Sequence, residues 1–355
     1  MTSSEYPPMQ APVCPLPYND YETIVMAHGS GGALSLDLIK KVFLPCFSNP
    51  ALLAGNDFAE VPGFVHGRVV VSTDAHIVSP LFFPGGDIGR LSVSGTVNDL
   101  AVSGGIPLCL TASFVLEEGL KISTLEKIVK SMADTSLEAG VPIIAGDTKV
   151  VERGKADGIF ISTSGVAVIG ARRAIVGSNA QPGDAVIVSG TLGDHGLAVL
   201  TARGELGLSA DIRSDVAPLN NLIRKVTEFT DQIHVMRDPT RGGVATTLNE
   251  IAQQSHVGIT LFEDQIPVHP AVRSACELLG FDPLYVANEG KVIIILPANL
   301  AHEVLSILQH EPYGQNARLI GQVQADSPGT VHLKTSIGGT RVLSMLSGEL
   351  LPRIC

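Results

Sequence analysis

No apolar run in this sequence approaches the ~18 residues that a membrane helix requires. The densest stretch, Val292 to Leu296, is only strand-sized. Mean hydropathy is nevertheless +0.30, which points to buried sheet rather than to a membrane. Positive charge is scarce: 24 Lys and Arg face 35 Asp and Glu, for a net charge of −11. Such a field does not attract a polyanion, so nucleic acid is not an expected partner, while divalent cations suit it. The five cysteines, Cys14, Cys46, Cys109, Cys276 and Cys355, include no CxxC pair. That argues against a disulfide framework or a zinc knuckle. Residues 1–21 lack the basic and apolar regions of a secretory leader, and the reducing cytoplasm is the expected compartment. Neither GxxxxGK[ST] nor GxGxxG occurs.

What is present alternates strand and helix signals, the pattern of an α/β (α+β) protein of two domains. Residues 1–20 carry Pro7, Pro8, Pro12, Pro15 and Pro17 and are expected to form a mobile or extended arm. Residues 21–170 are expected to form one domain and 171–334 a second, with a flexible tail over 335–355. In the first domain, Arg68 to Thr73 reads as a strand ending at Asp74. Asp87 is placed to cap a helix whose buried face is Ile88, Leu91, Val97 and Leu100. Ser123-x-x-Glu126 has the capping-box pattern before a helix running to Ala139. Val141 to Ala145 reads as a strand that ends at Gly146-Asp147.

Four aspartates are candidates, Asp57, Asp74, Asp99 and Asp147, three of them at or near strand ends or in glycine-bearing turns. Each alone could be a turn former or a cap. Together they suit Mg²⁺, which takes hard oxygen ligands and bridges carboxylates to phosphates. Three glycine loops could crowd backbone N–H groups round an anion. They are His28-Gly29-Ser30-Gly31-Gly32, Gly190 to Gly196 with Gly193 and His195, and Asp238 to Gly243 with Arg241 and Gly242. His195 reads either as a phosphate contact or as a loop residue. Cys355 ends the sequence and could act as a thiolate nucleophile or acyl acceptor.

The segments AHGSGG (27–32), STD (72–74), FPGGDIGRLSVSGTVNDLAVSGG (83–105), EEG (117–119), AGDTKVV (145–151), SGTLGDHG (189–196), DPTRGGVATTLNE (238–250), NEG (288–290) and PRIC (352–355) are long and ordered. Together they resemble the HypE family of hydrogenase-maturation carbamoyl dehydratases, from about residue 21 to the end. That family lies within the PurM-like superfamily of aminoimidazole ribonucleotide synthetase. The resemblance implies a two-domain PurM-like fold whose N-terminal sheet builds a homodimer, with ATP and Mg²⁺ in a cleft. It carries nucleotide binding onto Gly29, Gly31, Gly32, Asn98, Thr148, Gly193, Asp238, Arg241 and Gly242, and metal binding onto the four aspartates. Asn56-Asp57-Phe58-Ala59 departs from the paired acidic residues of related enzymes, so Asp57 has the least motif support.

The resemblance further implies that a HypF-like carbamoyltransferase loads Cys355. The thiocarbamate would be dehydrated to a thiocyanate, and the cyano group would pass to iron on a HypC–HypD-like scaffold of [NiFe]-hydrogenase maturation. Lys149 and Glu289 are the candidate bases. Two rival readings use the same residues. A superfamily enzyme acting on a free small substrate would not need Cys355, and a nucleotide-sensing scaffold would tolerate loss of Lys149 or Glu289.

Overall fold

The computed structural model describes residues 22–29, 37–49, 67–170, 175–204, 211–346 and 354. Asp57, Gly31, Gly32, Cys355 and the expected N-terminal arm lie outside them.

Two sheets organise the chain. The first has strands β1 (Arg68–His76), β2 (Ile106–Glu117), β3 (Ile143–Val151) and β4 (Ile159–Ile169), in the order β1-β4-β2-β3. Only the β2–β3 pair is parallel. Helices α1 (Ile88–Val102) and α2 (Ile122–Ala139) belong to the same half, and α1 packs on β1, β4 and α2. Strict alternation leaves the other face of β1 open: Val69 and Val71 are 53% and 70% exposed, and Ile106 on β2 is 61% exposed.

The second sheet comprises β5 (Asp184–Val188), β6 (Val235–Arg237), β7 (Gly258–Phe262), β8 (Ile293–Pro297), β9 (Arg318–Gln324), β10 (Val331–Lys334) and β11 (Thr340–Leu343). Their order is β11-β10-β7-β9-β5-β8-β6. This sheet is covered on both faces, which explains the unbroken apolar run at Val292 to Leu296. Ile293 and Ile295 join one core with α5 (Gly243–Ser255). Val292, Ile294 and Leu296 join another with α4 (Asn220–Phe229) and α7 (Ala301–His310). Two further helices are α3 (Asp194–Ala202) and α6 (Pro270–Leu279).

Helix α1 lies between the two halves. Asp87 caps it, its carboxylate accepting from the N–H groups of Gly89 and Arg90. Its residues are buried on every side rather than along one stripe, as a helix packed on several sides requires. Its Ala101 and Val102 reach the core of the second sheet.

The structure revises four expectations. Helix α2 starts at Ile122 with no side-chain cap, so Ser123 and Glu126 make no capping box. Strand β3 does not end at Gly146-Asp147 but runs through it, pairing Asp147 with Ser113 and Lys149 with Val115. Asp74 lies within β1 rather than after it. The expected tail from residue 335 is shortened by β11, which pairs with β10 as a hairpin. Among the described residues no helix is long and apolar enough to cross a membrane.

Candidate active site

Strand β1, helix α1 and the loop after β6 converge on a cleft of about 130 Å³. It is lined by Asp74, His76, Gly95, Asp99, Asp238, Thr240, Arg241 and Glu289. The strand's period of two sends Ser72, Asp74 and His76 to the side facing α1. There Ser72 Oγ donates to Asp99 Oδ2 at 2.7 Å. Asp238 follows β6 directly, and the loop turns back through Gly243 N–H on the Thr240 carbonyl. Gly243 has φ +61°, and a Cβ there would meet the carbonyl oxygens of Leu284 and Val286 at 2.5 and 2.7 Å. Only glycine fits that approach.

Four acids in one small cleft repel one another. Burial raises the proton affinity of Asp74, and Arg241 opposes it. Burial likewise raises Asp99, with Asp74 adding to the effect and the Ser72 bond opposing it. Asp238 is pushed up to about 7 by burial and then by Asp99. Part of its surface meets the cleft, but protein surrounds it at longer range, and that wider shell sets its solvation. Glu289 is raised well above the ordinary carboxylate range by burial, with Asp238 and Asp215 next. Its Oε1 is buried without a hydrogen-bond partner. An orphaned oxygen beside mutually repelling carboxylates is the environment a cation relieves. Hard oxygens with room left for water and phosphate fit Mg²⁺. Among the described residues no group of three or more acids, histidines or cysteines could by itself hold a metal ion, so a cation there would need phosphate and water oxygens to complete its shell.

The expected residues divide into groups. Asp74, Asp99, Asp238, Arg241 and Glu289 come together in the cleft. Asp147, Thr148 and Lys149 line a separate, largely apolar pocket of about 220 Å³ with His28, Phe43 and Phe114. There Lys149 Nζ lies 3.4 Å from Asp147 Oδ2, both side chains more than 60% exposed. The four-aspartate set is therefore not assembled within one chain, because β3 is the far edge of its sheet from β1. Gly29 closes a short turn, Met26–Gly29, adjoining His28 of that pocket.

Two assignments to nucleotide change. Asn98 does not face the cleft: its Nδ2 donates to the carbonyls of Ala217 (3.0 Å) and Glu289 (3.3 Å), and its Oδ1 accepts from Leu219 N–H (2.7 Å). Gly193 spends its N–H on Asn288 Oδ1 at 2.8 Å and is not free for phosphate. Gly242 sits at the start of α5 with φ +76°. His195 is fully buried, and its ring is committed to Ser214 and Ile354.

Sequence reasoning missed Asn288 and Asp215. Asn288 ties three motifs together, since its Nδ2 also donates to Pro239 O at 3.0 Å. Asp215 accepts from Glu289 N–H at 3.2 Å and pairs with buried Lys291 at 3.0 Å. A Cβ on Gly290 would meet the Asp215 carbonyl oxygen at 1.8 Å, which accounts for the glycine of NEG. Asn288 was legible as the first letter of that motif, whereas Asp215 stands in a segment with no periodic signal. The described cysteines offer no competing nucleophile: Cys46, Cys109 and Cys276 are free thiols, and burial raises all three, Cys276 to about 11.

Two family models match the chain: AIR synthase related protein, N-terminal domain, over residues 59–169, and its C-terminal domain over 181–334. The carbamoyl dehydratase HypE of Cupriavidus necator is 53% identical over 332 residues, covering 94% of this chain and 95% of that protein. This chain belongs to the HypE family. The HypE of Escherichia coli is 45% identical, covering 94% of this chain and 99% of that one. A crystal structure of HypE in complex with ATP superposes with a TM-score of 0.90 at 47% identity, over 93% of this chain and 99% of that one. A HypE–HypF complex aligns at 48% identity and a TM-score of 0.76, over 89% and 100% of the two chains. Thiamine monophosphate kinase of Aquifex aeolicus, at 20% identity and a TM-score of 0.58, shares the fold.

The acidic cleft of this HypE-family chain has a measurable consequence. Native Asp238 keeps its proton to about pH 7, whereas an unfolded aspartate loses it near ~3.9. The native state binds more protons between those values, so the site's contribution to stability is present below the lower one and is lost as pH rises through the higher. Mg²⁺ is expected to raise the melting temperature more at about pH 8 than at about pH 5, because only ionised carboxylates bind it strongly. An equal gain at both pH values would place the cation elsewhere.

Proposed function

We propose that this chain dehydrates a carbamoyl group carried on its own Cys355, in an ATP-dependent reaction that supplies cyanide ligands for [NiFe]-hydrogenase iron. The observation that carries this reading is the burial of Ile354. That residue is 7% exposed and belongs to a core cluster that draws on both halves of the chain. Its carbonyl lies 2.6 Å from His195 Nε2. Cys355 is the next residue, one ~3.8 Å Cα step away.

A carboxamide oxygen leaves poorly as water. In the proposed sequence the thiocarbamate oxygen attacks the γ-phosphorus of ATP and ADP departs. The resulting S–C(O-phosphate)=NH, formed with loss of one N–H proton, loses the second. The C–O bond breaks, phosphate leaves, and S–C≡N remains. Asp74, Asp99 and Asp238 would hold Mg²⁺, which when bound supplies positive charge against the repulsion in the cleft and on the phosphates. Arg241 adds a fixed cation on the same wall. Glu289, with its orphaned Oε1, accepts a proton from nitrogen once that repulsion is offset. Lys149 lines the other pocket, which suits a nucleotide-holding role better than proton removal in this chain's own cleft.

A HypF-like transferase is the proposed donor of the carbamoyl group, and a HypC–HypD-like iron complex the acceptor of cyanide. The open face around Val69, Val71 and Ile106 fits a second copy of the chain, since a large apolar patch marks an interaction surface. The test is intact and peptide-resolved mass spectrometry after incubation with transferase, carbamoyl phosphate and ATP, on material whose dimer is checked by sedimentation. Cys355 is expected to gain a carbamoyl group and then lose one water, the second change requiring hydrolysable ATP. An unmodified Cys355 beside an active transferase would overturn the reading in favour of a free substrate.

A further inference from the structure

We propose that His195 is the positioning residue of the tail: its Nε2–H holds the carbonyl of Ile354, the residue before Cys355, and so fixes the point from which the reactive end of the chain starts. The inference rests on the self-carried substrate just described and names the group that seats it.

The bonding is directional. A carbonyl only accepts, so the 2.6 Å contact with Ile354 O puts the proton on Nε2. Burial holds His195 below its ordinary pKa, outweighing Asp215 and the Ile354 bond, so the ring is neutral and Nδ1 is bare. Nδ1 then accepts from Ser214 Oγ at 2.8 Å. Ser214 Oγ in turn accepts from Val216 N–H at 3.1 Å, which leaves its own proton for the ring. Each bond fixes the next, and the chain of bonds delivers one N–H to one tail carbonyl. Phe83 closes the ring's surroundings edge-on at 5.4 Å.

A buried histidine often only satisfies its own core. Here its partner is the backbone of a residue 159 positions away in sequence, outside any strand or helix. The neighbouring residue makes the geometry purposeful. Ser214 orients the imidazole, while adjacent Asp215 receives the N–H of Glu289 and the ammonium of Lys291. Two consecutive residues thus register the tail's holder against the proposed base. A tail held in this way sits in one position relative to Glu289, as proximity catalysis requires.

The experiment measures two quantities on the full chain. The first is the alkylation rate of the Cys355 thiol, read in the C-terminal peptide. The second is the partition between transferase loading and dehydration. In His195→Leu, alkylation is expected to rise roughly five- to tenfold, the worth of a buried hydrogen bond. Loading is expected to be undiminished, while dehydration slows and carbamoyl-Cys355 accumulates. His195→Gln, whose amide N–H replaces Nε2–H, is expected to restore protection towards wild type. Ser214→Ala frees the tautomer and should fall between. If His195→Leu melts too early to label, the Ser214→Ala and His195→Gln pair carries the test.

Wild-type protection in Ser214→Ala and in folded His195→Leu overturns the proposal, as does His195→Gln failing to rescue. The readouts separate the two claims. A shifted alkylation rate with no thiocyanate even in wild type sinks the dehydratase reading and leaves the tail holder standing. Normal dehydration with unshifted alkylation does the reverse.

Discussion

Glu289→Gln is expected to slow thiocyanate formation on Cys355 by roughly 10²–10⁴-fold, the usual weight of a general base, with ATP binding retained. The substitution keeps the side chain's shape and leaves both backbone contacts of the residue in place, the N–H on Asp215 and the carbonyl under Asn98. It removes only the ability to take a proton. It also removes one member of a repelling group, since Asp238, Asp215, Asp74 and Asp99 all raise Glu289, so no loss of thermal stability is expected. The carbamoyl adduct should accumulate, separating loading from dehydration in one mass spectrum. An unchanged dehydration rate would exclude Glu289 as the base and return the role to Lys149.

Asn98→Ala is expected to carry the largest stability loss. The side chain is 1% exposed and serves three backbone groups: Ala217 O, Glu289 O and Leu219 N–H. Each orphaned buried group costs ~1–3 kcal/mol, with partial relaxation, so a total of about 3–5 kcal/mol is expected. Urea unfolding measures it as a lower midpoint at an unchanged slope. Asn98→Asp should be worse, since it turns a donor facing two carbonyls into an acceptor. A loss below about 1 kcal/mol in the alanine variant would mean that water replaces the amide there.

The β-branched run Arg68 to Thr73 gave a strand, and Asp87 gave the start of α1, because both signals are local. The helix's all-round burial was not legible, since it depends on a second sheet more than eighty residues later. For the same reason Asn98 and Asp99, adjacent letters of one motif, were both assigned to the ligand site, although only Asp99 lines the cleft. Helical geometry turns one towards Ala217 and Leu219 and the other towards Ser72. Gly146-Asp147 looked like a strand's end because glycine usually marks one, yet β3 continues through it beside β2. Strand order then sets Asp147 and Lys149 outside the carboxylate cleft, since β3 is the edge of the sheet far from β1. Asp215 and Ser214 carry no pattern of their own, and their roles come only from what the fold sets beside them.

Strand β1 turns Val69, Val71 and Thr73 outward and Ser72, Asp74 and His76 inward, by nothing more than odd and even position. Its two sides therefore share one reading frame. Deleting a single residue ahead of Ser72 would move Asp74 to the outer surface and set Ala75 in its place in the acid cleft in the same stroke. Drift in length is thus closed to this strand even where drift in composition is open, and assembly and chemistry could be lost there only together.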